Sequence, residues 1–128
     1  MKKLIFLLLA VILLTACGQD PNNHREVPYM NITAEEAKTI MDTQEGYIIL
    51  DVRTQEEFDQ GHIPGAILIP NTRIEFDAEE ILTDMDQLIL VYCRSGRRSK
   101  QAAEILVEMG YTNIKEFGGI IDWPYETE

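Results

Sequence analysis

The stretch Leu88-Ile89-Leu90-Val91-Tyr92 is apolar at every position, with no polar face to offer to water. A strand of that kind needs cover on both sides, which a parallel sheet packed between helices provides. Two shorter runs repeat the pattern: Tyr47-Ile48-Ile49-Leu50, and Ile67-Leu68-Ile69 stopped by Pro70. Helical signatures separate them. Thr33 with Glu36, and Thr54 with Glu57, have the spacing of a capping box, and Ala37, Ile40 and Met41 form an apolar stripe. These predict a helix over Ala34 to Thr43, and a short one after Thr54 that Gly61 closes. Tyr29 to Ile32 reads as a first strand and Ala78 to Leu82 as a further helix. Ala102, Ile105, Leu106 and Met109 trace a helical face that ends at Gly110. Ile114 to Phe117 reads as the last strand, broken by Gly118-Gly119 before a short turn at Ile120 to Trp123. Buried strands alternating with helices predict an α/β fold, a parallel sheet with helices on both faces. Ligands of such sheets sit beyond the carboxyl ends of the strands.

Composition narrows the function. A chain of 128 residues suits one domain. Its 22 acidic and 11 basic side chains give a net charge of -11, which argues against nucleic acid as a partner. Two cysteines and two histidines leave a structural zinc site short of ligands, so no metal is expected.

The first residues read as an address. Met1-Lys2-Lys3 is a basic start, and Leu4 to Leu14 is an apolar run too short to span a membrane comfortably. Leu14-Thr15-Ala16-Cys17 resembles the bacterial lipobox, in which the cysteine receives diacylglycerol and becomes the first residue. The expected organisation is a lipoprotein signal peptide over 1–16, a polar tether over 17–28 that includes His24, and a domain over 29–128. That places the domain in the cell envelope, held to a bacterial membrane through lipid on Cys17 and facing outside the cytoplasm. A monomeric domain is expected.

Chemistry concentrates where the Leu88–Tyr92 strand ends, in Cys93-Arg94-Ser95-Gly96-Arg97-Arg98-Ser99. A loop between a strand and a helix lets backbone N–H groups converge on one point, and the helix start adds positive potential. Gly96 permits the positive φ that a tight cradle of amides needs. Arg94, Arg97, Arg98 and Lys100 make one cationic island on an acidic body. All of this favours thiolate over thiol, which predicts a reactive, exposed nucleophile at Cys93 with an anion held against its sulfur.

That loop resembles the active loop of single-domain rhodanese-like sulfurtransferases. Leu50-Asp51-Val52-Arg53 with Glu56-Glu57-Phe58 and Gly61-His62-Ile63-Pro64-Gly65-Ala66 resembles the family's first signature, and Gly118-Gly119-Ile120-Ile121-Asp122-Trp123 its last. The similarity runs from about Tyr29 to Glu126. It implies a five-stranded parallel sheet and a persulfide enzyme without metal or organic cofactor. Cys93 would take sulfur from thiosulfate or a related small anionic donor. Arg94, Ser95, Gly96, Arg97, Arg98 and Ser99 would bind it, and cyanide or a thiol would accept the sulfur. A carrier that holds sulfane sulfur without turnover is the rival from another class. Phosphatase or arsenate-reductase chemistry fits less well, because a Cys-x5-Arg loop would need arginine where Ser99 stands.

Outside the loop, Asp51 ends a central strand. It either pairs with Arg98 or Arg53 and so supports the loop, or caps a turn. His62 reads as structural, since a low-pKa thiolate needs no general base. Trp123 and Tyr125 read as packing residues, and the acids from Glu75 to Asp86 as a solvated face.

Overall fold

The computed structural model describes residues 29–128. The segments read as signal and tether, with Cys17 and His24, lie outside them. Five strands, β1 (Met30–Asn31), β2 (Ile48–Asp51), β3 (Ile67–Leu68), β4 (Ile89–Cys93) and β5 (Ile114–Gly119), form one sheet in the order β1-β5-β4-β2-β3. Every pairing is parallel. Four helices connect them: α1 (Ala34–Thr43), α2 (Gln55–Asp59), α3 (Ile74–Ile81) and α4 (Arg97–Glu108).

Strand parity divides the core in two. Leu50, Ile89, Val91 and Cys93 face the layer of α3 and α4, where Ala78, Ala102, Ala103 and Leu106 meet them. Ile49, Leu90, Tyr92 and Phe117 face the other way, against Ala37 and Ile40 of α1 and against Trp123. All five residues of β4 are buried, so the strand most apolar in sequence is the sheet's centre. The edge strands β1 and β3 are two residues each, too short to template pairing with another chain.

Local chemistry sets the ends of these elements. Both capping boxes form: the Thr33 and Thr54 side chains accept from the backbone of Glu36 and Glu57, whose carboxylates bond back to the cap amides. At the end of α4, Gly110 N–H donates to Val107 O and Tyr111 N–H to Leu106 O, a Schellman ending. Tyr111 is thereby tucked in, its hydroxyl on Leu82 O at 2.6 Å.

Two expectations need correction. The helix predicted over Ala78 to Leu82 begins earlier, at Ile74, after a turn of 3-10 helix at Asn71–Arg73. Pro70 ends β3 and its carbonyl takes the Arg73 N–H at 2.7 Å, which starts the coil at once. Buried Ile74 and Ala78, one helical turn apart, then anchor it. Gly118-Gly119 does not break the last strand. β5 runs through both, with an irregular register that pairs Cys93 with Gly119.

Candidate active site

β4 delivers Cys93 to the carboxyl end of the sheet, and the chain turns through Arg94, Ser95 and Gly96 into α4. Gly96 holds φ at 106°, a region closed to most side chains. The turn aims the Gly96 N–H at Cys93 Sγ, 3.0 Å away, while Ser99 Oγ lies 3.4 Å from the same sulfur. The sulfur is not exposed as the sequence suggested: Cys93 keeps 1% of its surface, because β5 closes over the turn. Arg94 O accepts the Ile121 N–H, and a Cβ on Gly119 would stand 1.9 Å from that same carbonyl oxygen. Glycine at 119 is therefore what lets strand and loop touch.

Burial is the strongest influence on the Cys93 thiol, and it resists ionisation. The Ser99 hydroxyl and the amides of Ser99, Gly96 and Ser95 together outweigh it, so the thiol lies below its ordinary range. The lowering expected from loop amides, helix start and arginines together thus comes mainly from hydrogen bonds by the Ser99 hydroxyl and the loop amides. Arg94 and Arg97 are exposed. Arg94 lines an open cleft of about 520 Å³ beside the loop, with Arg53, Gln60, Ile120 and Ile121.

Arg98 is bound elsewhere. Its two terminal nitrogens meet both Glu57 oxygens at 2.7 and 2.9 Å, clamping α4 to α2. That pairing holds the Glu57 carboxyl down at about 2, and Glu57 in turn, followed by lesser charges that include Cys93, favours the charged guanidinium. In the sequence Glu57 stands out as a cap and as part of the first signature, with nothing to tie it to Arg98. Asp51 takes Arg53 rather than Arg98, at 2.7 Å, and also accepts the Arg53 N–H at 2.9 Å. Ion pair and turn cap are one arrangement. Arg53 extends it to Gly61 O at 2.7 Å, tying the end of β2 to the turn after α2.

His62 stacks on Phe58 with ring centroids 3.8 Å apart and sets Nδ1 3.0 Å from Phe58 O, a structural placement. Trp123 packs on Phe117 and Tyr125. Both Trp123 and Tyr125 also line a cavity of about 760 Å³ on the α1 side, which contains neither Cys93 nor any residue of its loop. Glu116, which belongs to no motif in the sequence, is a carboxylate 2% exposed with Oε1 2.7 Å from Ser99 Oγ. Its signal was parity: on β5 it shares the inward side of Ile114.

A buried cysteine cradled by amides at the carboxyl end of a five-stranded parallel sheet, on a loop leading into a helix, defines a class of domain with a cysteine nucleophile. The chain belongs to that class: the Rhodanese-like domain family matches residues 33–124. Among its relatives, the thiosulfate sulfurtransferase PspE of Escherichia coli is 42% identical over 73 residues, covering 57% of this chain and 70% of that protein. The thiosulfate sulfurtransferase GlpE of Haemophilus influenzae is 36% identical over 98 residues, covering 76% and 90%. A solved structure described as rhodanese with anions from E. coli superposes with a TM-score of 0.60 at 38% identity, covering 64% of this chain and 96% of that one. The chain is a rhodanese-like sulfurtransferase built on a single such domain.

Proposed function

We propose that this sulfurtransferase moves sulfane sulfur from thiosulfate, or a related small anionic donor, to cyanide or a thiol through a persulfide on Cys93. The observation that carries the reading is the Gly96 amide 3.0 Å from a buried sulfur whose thiol is held below its ordinary range. In the first step the thiolate attacks the outer sulfur of thiosulfate. The bond between the two donor sulfurs breaks, its electron pair leaves with sulfite, and Cys93 keeps the transferred atom. In the second step the acceptor attacks that outer sulfur, and the electron pair of the S–S bond returns to Cys93. Amides that stabilise the thiolate also suit the anionic persulfide, whose charge lies one bond further out on the transferred sulfur. Exposed Arg94 and Arg97, which form no ion pair among the described residues, suit the sulfonate end of the donor. Ser99 stands where a phosphatase loop would carry arginine, which favours sulfur over phosphate.

The reading is tested by intact mass after exposure to thiosulfate. One added sulfur is expected on the wild type and none on Cys93→Ala. Steady turnover with cyanide supports the enzyme, whereas a stable persulfide with negligible turnover replaces it with a carrier. Release of phosphate from an aryl phosphate replaces sulfur transfer altogether. Arg97→Ala is expected to raise KM for thiosulfate several-fold more than KM for an uncharged donor; equal effects assign Arg97 to structure.

We also propose that lipid on Cys17 holds the domain to a bacterial membrane, on the side away from the cytoplasm. The basic start, the short apolar run and the Leu14-Thr15-Ala16-Cys17 motif support this.

A further inference from the structure

Glu116 is a buried carboxylate that the two-step reaction does not use. It lies on β5 opposite Val91 of β4, with the parity that faces α4. Its Oε1 receives the Ser99 hydroxyl at 2.7 Å and the Gly118 N–H at 2.8 Å. None of the ion pairs among the described residues includes it. Burial without a counter-ion opposes a charge on this carboxylate, while its two donors favour one.

The other end of the contact is the nucleophile. Ser99 Oγ lies 3.4 Å from Cys93 Sγ, so one hydroxyl separates the sulfur from the carboxylate. That hydroxyl has a single proton. Gly96 O at 3.0 Å and Gly118 O at 3.4 Å are farther from Ser99 Oγ than Glu116 Oε1 is. The proton therefore lies toward Glu116, and a lone pair of the oxygen faces the sulfur. Cys93 keeps 1% of its surface, and among the described residues its proton has Ser99 as its hydrogen-bond acceptor.

We propose that Cys93, Ser99 and Glu116 form a proton relay in which Glu116, acting through Ser99, takes up the thiol proton when Cys93 ionises. The S–H bond breaks and its proton passes to Ser99 Oγ, while the Ser99 proton passes to Glu116 Oε1. The products are a thiolate, an intact hydroxyl that now donates to the sulfur, and a neutral carboxylic acid. The trio keeps one negative charge throughout. Two anions a hydroxyl apart in a dry interior repel, and sharing one proton avoids that. Glu116 touches no substrate and is a positioning residue for the proton. The relay rests on the reading that Cys93 reacts as a thiolate.

Other ionisable groups around the trio come from each packed element. Tyr29, ahead of β1, is pushed up by burial and then by Glu104 of α4 and by Glu116. Arg98 of α4 is bound to Glu57. On β4, Tyr92 belongs to the opposite core and leaves Cys93 alone on this side.

The test is made on the full detergent-solubilised chain without any donor, following thiolate absorbance against pH together with the infrared carbonyl band of a protonated carboxyl. The wild type is expected to form thiolate in two steps, with the carboxylic-acid band present between them and lost in the second. Glu116→Gln keeps the hydrogen-bonding shape but accepts no proton, so it is expected to give one step and no such band. A single thiolate step in the wild type, with no carboxylic-acid band alongside it, overturns the relay and needs no variant to fold. A Gln variant that still titrates in two steps overturns it as well. Mass measurement with thiosulfate on the same samples separates the two readings. Sulfur gained by a protein that titrates in one step removes only the relay; two steps without sulfur uptake by any donor removes only sulfur transfer.

Discussion

Gly119 decides whether the site can exist, although it carries no chemistry. Its missing Cβ leaves room for the Arg94 carbonyl, and any added carbon would overlap backbone rather than a yielding side chain. Gly119→Ala is expected to cost about 2–3 kcal/mol of stability by overpacking and to abolish sulfur uptake, read by chemical denaturation and intact mass. A variant that keeps normal stability and normal uptake shows that the loop can lift off β5. Cys93 and Gly96 were legible as residues, since a nucleophile and a glycine after a strand end have only a few uses. Glu57 and Glu116 were not. A carboxylate's role depends on what lies across space from it, and their partners Arg98 and Ser99 are far away along the chain.

At the scale of elements, the capping boxes at Thr33 and Thr54 needed only local spacing, and both formed. The second does more than start a helix. Glu57 bonds Thr54 behind it and Arg98 ahead of it, so the beginning of α2 grips the beginning of α4 near the cysteine. This clamp has a pH signature. The Arg98 pairing lowers the Glu57 carboxyl from its ordinary 4.5 to about 2 in the folded protein. A carboxyl lowered by folding contributes stability above its unfolded value and loses it as pH falls toward its folded one. Glu57→Gln is expected to destabilise by about 1 kcal/mol at neutral pH, discounted for partial exposure. That difference should shrink between pH 4.5 and about 2, as measured by urea melts of both proteins. A gap that stays constant through that window means that the pair contributes nothing.

For the whole molecule, an acidic body presents one small basic loop, and the sheet brings that loop together with β5 and α2. The anchor proposed at Cys17 belongs to this scale, because it would set which solutes the loop meets. Growth with a labelled fatty acid is expected to label the wild type and not Cys17→Ala, with the wild type in the membrane fraction. An unlabelled wild type sends the protein to another address.

What the sequence determined alone was local: which runs are buried strands, where the two capped helices begin, and that a cysteine with a following glycine stands at a strand end. These follow from periodicity, caps and backbone freedom, which act over a few residues. Tertiary structure alone decided that β5 covers the cysteine loop, that Arg98 goes to Glu57 while Arg53 goes to Asp51, and that Glu116 lies one hydroxyl from the nucleophile. Those outcomes turn on strand order and register, which bring together residues that the chain itself holds far apart.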